Sequence, residues 1–222
     1  MSMFLPNKHK TLIWWPKLNR LCGPVAWTGC VDPPYLVQPH FRPMEHIIRA
    51  VGAILGRNEI LLAGSQAYWA SCTRVPPPDL LSSMAADILF VSDEADDADR
   101  LIDGSIGEGS PFHDTFGFYA HGVNDILVKL PDGWRQRLVS FSSINTNGVV
   151  AKCLDPYDLL VVKLIAGREK DLDFFRSLAA EENLNYTLLI ERVKITHVSA
   201  EGKKRVIDAL KRIADSPEPR HA

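Results

Sequence analysis

The stretch EILLAGSQA at residues 59–67 decides the fold. Its first five residues are typical of a short buried strand, and Gly64-Ser65 separates that strand from a helix predicted to begin at Gln66. Glycine lets the backbone approach a phosphate closely, and a serine hydroxyl together with the free N–H groups of a helix start binds phosphate oxygens. The stretch therefore predicts a phosphate-binding turn, with an ordinary turn between a strand and a helix as the alternative.

Hydrophobic periodicity outside this stretch predicts an α/β (α+β) fold, in which a small mixed β-sheet is flanked by helices and followed by a C-terminal helical section. A helix is predicted over 44–55, and a later helix has its apolar face on Ala95, Ala98, Leu101 and Ile102. Residues 104–117 are predicted to be a glycine-rich loop. Further strands are predicted at 86–91, 116–121, 126–130, 138–141 and 149–154, with 126–130 and 138–141 paired as a hairpin.

Four helices are predicted to close the chain. The first begins at Pro156 with Asp155 as its N-cap, because aspartate at the cap and proline at the first helical position are both favoured there. The others are predicted near 168–182, 186–192 and 199–214. The predicted organisation is an irregular arm at 1–43, an α/β core at 44–154, a helical section at 155–215 and a disordered tail at 216–222.

The arm at 1–43 is rich in proline and tryptophan and shows no helical or strand period. One interpretation is that Met44 is the true start of the protein, and the other is that a genuine arm packs its tryptophans on the body. The 222 residues carry a net charge of −2, which argues against a dedicated nucleic-acid binder. No apolar run is long enough to span a membrane and the cysteines follow no disulfide pattern, so a cytoplasmic protein with reduced thiols is expected.

Asp87 is the acidic residue of the second predicted strand, 86–91. Residues two apart on a strand share a face, and two carboxylates so spaced jointly hold Mg²⁺ ions that bridge a triphosphate. The neighbours at this spacing are Ala85 and Leu89, so one carboxylate is present where two are needed. The alternative is that Asp87 is a capping or edge residue of the strand.

Lys163 lies in the otherwise apolar beginning of the stretch DLLVVKLIAGREKDLD at residues 158–173. If the stretch is one helix, Lys163, Gly167 and Lys170 form a stripe along it. A lysine among apolar residues needs an anion or a route to water, and the candidate anions are a triphosphate, Asp87 and Asp171. Residues 168–173 alone are also typical of a solvated charged turn.

Taken together, these elements resemble the nucleotidyltransferase superfamily over residues 46–178, and are similar to a bacterial family of uncharacterised nucleotidyltransferase-like proteins related to toxins of abortive-infection toxin–antitoxin pairs. The resemblance includes the stretches at 102–113 and 115–120. It implies that Asp87 and Lys163 are catalytic, that Asp87 binds the metal, and that the nucleotide is bound by Gly64, Ser65, Lys163, Arg168 and Lys170.

The resemblance further implies a nucleoside triphosphate as substrate, Mg²⁺ as cofactor, RNA or a protein as acceptor, and a cognate antitoxin or toxin as partner. Ala85 stands at what looks like the first acidic position, so two hypotheses stay open: a nucleotidyltransferase, or an inactive relative that binds a nucleotide or a partner protein. Glu108 and Asp114 are candidates for a further carboxylate of the metal site. His113 and His121 are candidates for a metal or acid–base pair, or are simply scattered histidines.

Overall fold

The computed structural model describes residues 41–71, 83–91, 95–125, 127–181 and 183–215. These residues all lie in one compact unit, Val37–Ala222. The predicted arm up to residue 40 and the predicted tail at 216–222 lie outside the described residues. No helix in the described ranges has both the length and the apolar character needed to cross a membrane.

Thirteen helices and strands make up the described part of the fold. The strands are β1 Glu59–Ala63, β2 Ala85–Phe90, β3 Tyr119–Asn124, β4 Val139–Phe141 and β5 Val150–Cys153. The helices are α1 Phe41–Leu55, α2 Gly64–Ala67, α3 Ala95–Ile106, α4 Pro111–Phe116, α5 Pro156–Ala166, α6 Glu169–Glu181, α7 Tyr186–Lys194 and α8 Ala200–Asp215. Short 3-10 turns occur at Tyr68–Ser71, Trp134–Arg137 and Ile144–Thr146.

The five strands form one mixed sheet in the order β3-β2-β1-β5-β4. The central strand β1 is antiparallel to β2 and parallel to β5, whereas β2 and β3 run parallel and β4 and β5 antiparallel. The predicted α/β class, with a small mixed sheet flanked by helices, is therefore confirmed.

The two faces of this sheet differ in burial. The core face carries side chains that are almost completely buried, among them Ile60, Leu62, Ile88, Ala120 and Cys153. Helix α3 lies against this face so closely that a Cβ on Gly122 would overlap Asp99. Because side chains alternate along a strand, the next residues point the other way, and on that open face Glu59, His121 and Ser140 remain exposed.

Several predicted elements match the structure and others need correction. Strand β1 and helix α5 occur as predicted, and Asp155 caps α5 by accepting from the N–H groups of Tyr157 at 3.0 Å and Asp158 at 3.3 Å. The glycine-rich loop predicted at 104–117 is wrong, because α3 continues to Ile106 and α4 follows. Ser110 starts α4 by accepting from the N–H of His113 at 3.2 Å, with Pro111 in the first turn.

The predicted hairpin of 126–130 with 138–141 is also wrong. Residues 127–130 form no strand, and β4 pairs with β5 instead. Strand β3 begins at Tyr119, three residues later than predicted, because α4 occupies the residues before it. On α3, Ile102 is buried as predicted but Leu101 is 48% exposed, and the side chain of Ala95 lies outside the described residues.

Candidate active site

Gly64 follows β1 directly and adjoins Asp87 on β2. Ala63 and Asp87 are register partners in the antiparallel pair, which brings the end of β1 beside the start of β2. Gly64 has φ +66°, and a Cβ built on it would overlap the carboxylate of Asp87. A residue without a side chain is thus required at position 64 both by the backbone conformation and by the space that Asp87 occupies.

The carboxylate of Asp87 is half-buried on the open face of the sheet. Burial raises the pKa of the Asp87 carboxyl above its ordinary value, since the charged form is poorly solvated there. Nearby positive charges oppose this rise in pKa: that of His121 in its protonated form, and those of Lys163, Lys170 and Arg168. Within the described residues, Asp87 nevertheless makes no hydrogen bond or ion pair. We refer to Gly64, Asp87, Lys163, Arg168 and Lys170 as the Asp87 cluster.

Lys163 is buried on α5 and already has an anionic partner. Its Nζ donates to Oδ1 of Asp171 at 3.1 Å and lies 4.4 Å from the ring centre of Phe174. Burial lowers the pKa of Lys163, and the charge of Asp171 opposes that change. Of the candidate anions for Lys163, Asp171 is therefore its direct partner in the fold, while Asp87 acts on it through its charge.

Asp171 is held from two sides. Nε of Arg168 donates to its Oδ2 at 2.6 Å, while Lys163 occupies Oδ1. Burial tends to raise the pKa of Asp171, but the hydrogen bonds and charges of these two cations outweigh it, so the pKa lies below its ordinary value. The sequence indicates Asp171 only as one candidate anion for Lys163, and the signal for its role is its position in the first turn of α6, eight residues after Lys163.

Gly167 separates α5 from α6. It has φ +64°, and its N–H donates to the carbonyl of Lys163 at 2.9 Å, which ends α5 at Ala166. The predicted stripe of Lys163, Gly167 and Lys170 along one continuous helix is therefore wrong. Lys170 instead belongs to the first turn of α6, where it is exposed and its charge reaches Asp87.

Ser65 lies next to Gly64 in the four-residue helix α2 and is half-buried. Its hydroxyl makes no hydrogen bond to another residue in the described part of the chain. Arg168 has 63% of its side chain exposed, so its guanidinium contacts Asp171 through Nε and still faces solvent. The fold thus brings four of the other five predicted site residues within electrostatic or steric range of Asp87, and Ser65 is adjacent to one of them, Gly64.

Among the described residues, the cluster offers one carboxylate for a magnesium ion, that of Asp87. No three His, Cys, Asp or Glu side chains in the described ranges lie close enough together to hold a metal. Ala85 is half-buried and Leu89 is 3% exposed, so of the two positions that share the open face with Asp87 the first borders solvent and the second is covered by other parts of the fold. Mg²⁺ commonly binds through one or two carboxylates plus substrate phosphates, so Asp87 alone fits it only in the company of a nucleotide.

The other candidate side chains surround β3. The negative charge of Glu108 acts on Tyr119 together with that of Asp87, and both contribute to the raised pKa of Tyr119, whose first cause is burial. Asp114 is exposed on α4. His113 stacks against Tyr119 with ring centres 4.7 Å apart, and its Nδ1 accepts from the N–H of Gly109 at 3.0 Å. A metal pair of His113 with His121 is not seen in this arrangement.

Comparison with known proteins gives a family for the second half of the chain. Residues 110–215 match a family model described as a nucleotidyltransferase of unknown function (DUF6036). No curated protein and no solved structure matches the chain. The matched residues include Lys163, Arg168 and Lys170, whereas Gly64 and Asp87 precede them. The resemblance to an uncharacterised nucleotidyltransferase-like family is thereby confirmed for residues 110–215, whereas the relation to toxins of toxin–antitoxin pairs stays a prediction.

Proposed function

We propose that this protein binds a Mg²⁺-bound nucleoside triphosphate at the Asp87 cluster and transfers a nucleotidyl group from it to a hydroxyl of an RNA end or of a protein. The observation that carries the proposal is the carboxylate of Asp87, which is desolvated enough for its pKa to rise yet has no hydrogen-bonding partner in the described residues. A buried charge without a partner is unfavourable, so a cation brought by a substrate would complete its coordination.

The exposed cations of the cluster suit the phosphates of such a substrate. Lys170 is exposed and makes no ion pair in the described residues, and Arg168 keeps most of its guanidinium in solvent. Lys163, in contrast, is fixed by Asp171 and holds α5 and α6 together. We therefore assign phosphate binding to Lys170 and Arg168, and we give Lys163 the role of positioning Asp171 and contributing charge near Asp87.

The proposed reaction is attack of an acceptor hydroxyl on the α-phosphorus, with pyrophosphate as the leaving group. When bound, Mg²⁺ supplies charge neutralisation at the phosphates. Asp87 would hold that ion, and Lys170 with Arg168 would stabilise the charge that develops on pyrophosphate. The cytoplasmic location and a partner from a toxin–antitoxin pair belong to this proposal as well.

An inactive relative that binds a nucleotide or a partner protein is the second candidate, and Ala85 favours it. This position borders the open region next to Asp87 and offers no second carboxylate. Loss of one metal carboxylate generally slows such chemistry by orders of magnitude.

Titration calorimetry with each of the four triphosphates, with and without Mg²⁺, tests the proposal. We expect Mg²⁺-assisted binding by the natural protein, loss of that binding in Asp87→Asn, and weaker binding in Lys170→Ala. Lys204→Ala, which removes an exposed lysine from α8, is the matched control and should bind as the natural protein does. Absence of heat with every triphosphate, with or without Mg²⁺, would overturn the site assignment.

A further inference from the structure

His121 is the neighbour of Asp87 across the sheet. The two are register partners in the parallel pair of β2 and β3, as are Ile88 and Gly122 one residue further on. Ile88 and Gly122 face the core, so Asp87 and His121 both project from the open face. Neighbouring strands lie about 4.8 Å apart, so the side chains of Asp87 and His121 start side by side on the same face.

The imidazole of His121 is oriented by Asp103 of α3. Its Nδ1 lies 3.3 Å from Oδ1 of Asp103, and that same oxygen accepts from the N–H of Gly122 at 2.8 Å. Because a carboxylate offers only acceptors, this contact favours the neutral tautomer with its proton on Nδ1 and its lone pair on Nε2. Within the described residues Nε2 has no hydrogen-bonding partner.

A histidine whose one nitrogen donates to a carboxylate while the other carries a free lone pair is the usual arrangement of a metal-binding imidazole. Elsewhere in the chain, His197 also pairs with an aspartate, at 2.8 Å from Asp132, but both of those side chains are mostly exposed. What distinguishes His121 is the carboxylate of Asp87 on the adjacent strand, which makes no hydrogen bond or ion pair in the described part of the chain.

We propose that the Asp87 carboxylate and Nε2 of His121 are the two protein ligands of one divalent cation, with Asp103 as the residue that positions the imidazole. This inference deepens the proposed function, because the same cation would carry the triphosphate. His121 thereby supplies the second ligand that Ala85 does not provide on β2. Water and phosphate oxygens complete the coordination shell.

The ligand set decides which cations the site prefers. Carboxylate oxygens and water suit Mg²⁺, whereas an imidazole nitrogen favours first-row transition ions, of which Mn²⁺ accepts both oxygen and nitrogen ligands. The site is therefore assigned to Mn²⁺ or a similar transition ion in preference to Mg²⁺. A second carboxylate at this place would not produce that preference.

Titration of Mn²⁺ into the full chain without nucleotide, followed by the electron paramagnetic resonance signal of the free ion, measures this site directly. We expect tighter binding of Mn²⁺ than of Mg²⁺, the latter measured by competition. His121→Gln and Asp87→Asn should each weaken Mn²⁺ binding at least about tenfold, and Asp103→Asn about tenfold, since loss of an orienting partner usually costs 10–100-fold. His197→Gln is the matched control and should leave the affinity unchanged.

A second readout on the natural protein needs no variant. Substoichiometric Mn²⁺ should broaden the imidazole resonances of His121 well before those of His197, because a paramagnetic ion relaxes the nuclei closest to it. An unchanged Mn²⁺ affinity in His121→Gln, a preference for Mg²⁺, or equal broadening of both histidines would each overturn the inference.

Triphosphate binding separates this inference from the proposed function. If Mn²⁺ binding depends on His121 but no triphosphate binds, the metal site stands and the proposed function fails. If triphosphates bind to the natural protein and to His121→Gln with equal affinity in Mn²⁺, the proposed function stands and the role of His121 is refuted.

Discussion

Asp87 and Asp158 are two aspartates that differ in whether the fold gives their carboxylates direct partners. Burial raises the pKa of both carboxyls. Asp158 is fully buried, yet Arg137 donates to its two oxygens at 2.8 and 3.1 Å, and Arg192 lies 3.6 Å away. Asp87 has no such contact in the described residues, although the charges of His121 when protonated, Lys163, Lys170 and Arg168 act on it from a greater distance.

This difference separates a carboxylate that holds the fold together from one that is available to a ligand. Asp158 joins α5 to α7 and to the 3-10 turn that carries Arg137, and its desolvation is offset within the chain. The desolvation of Asp87 is not offset by any direct contact in the described residues. Removal of the two carboxylates should therefore have different consequences for stability and for binding.

Asp158→Asn is expected to have the largest effect on stability. The substitution leaves Arg137 and Arg192 without their carboxylate in a buried position, and breaking a buried pair in this way costs about 3–5 kcal/mol. The free energy of unfolding from urea denaturation measures the loss. Triphosphate binding at a temperature where the variant is folded should be retained, and a stability equal to that of the natural protein would show that the arginines find other acceptors.

Asp171→Asn is expected to cost about 2 kcal/mol at neutral pH, since two charge-assisted hydrogen bonds weaken. The folded pKa of Asp171 is below its ordinary value of 3.8, so its contribution is present above that value and is lost as the pH falls through the folded pKa. The difference in unfolding free energy between the two proteins should be constant near neutral pH and shrink below about pH 4. A difference that grows on acidification would contradict the lowered pKa.

Ala85→Glu is expected to change stability by less than about 1 kcal/mol, because the position borders solvent and an added carboxylate can stay hydrated. It should raise Mg²⁺ affinity, since a second carboxylate then shares the ion. Ala85→Gln is the neutral control. Melting temperature, calorimetry and transfer from a labelled triphosphate are the measurements. Robust transfer by the natural protein, with no gain from Ala85→Glu, would mean that another group completes the site.

Asp87→Asn is expected to have the smallest effect on stability, within about 0.5 kcal/mol of the natural protein or slightly favourable, because it removes a desolvated charge that makes no direct contact in the described residues. The same change should abolish Mg²⁺-assisted triphosphate binding. Thermal unfolding measures the change in stability, and titration calorimetry measures the change in triphosphate binding. A loss of several kcal/mol in the free energy of unfolding, as expected for Asp158→Asn, would show that Asp87 is a structural residue like Asp158.

The sequence predicts most of the fold because its signals are local. Strand β1 is an apolar run bounded by Gly64, and α5 has a capping aspartate followed by proline. The errors arise where two local signals compete. Around residues 104–117 the glycines suggest a loop, but Ser110 and Pro111 start a helix. Residues 126–130 are mostly apolar, as in a short strand, yet the edge strand β4 takes its partner from β5.

The site is less accessible to sequence reasoning because its contacts are not local. Gly64, Asp87 and Lys163 are nominated by their local patterns, but the pairing of Lys163 with Asp171 depends on the angle between two helices. The adjacency of Asp87 and His121 depends on the register of two strands that are separated by α3 and α4. No periodicity within either strand encodes that register.

The lack of space beside Gly64 restricts how positions 64 and 87 can change during evolution. A methyl group at position 64 would displace the Asp87 carboxylate, so the two positions are expected to mutate as a unit. A descendant that lost Asp87 would keep only the backbone requirement of φ +66° at position 64, which asparagine also tolerates. Relatives that have asparagine or another side chain at position 64 should therefore also lack the carboxylate at position 87.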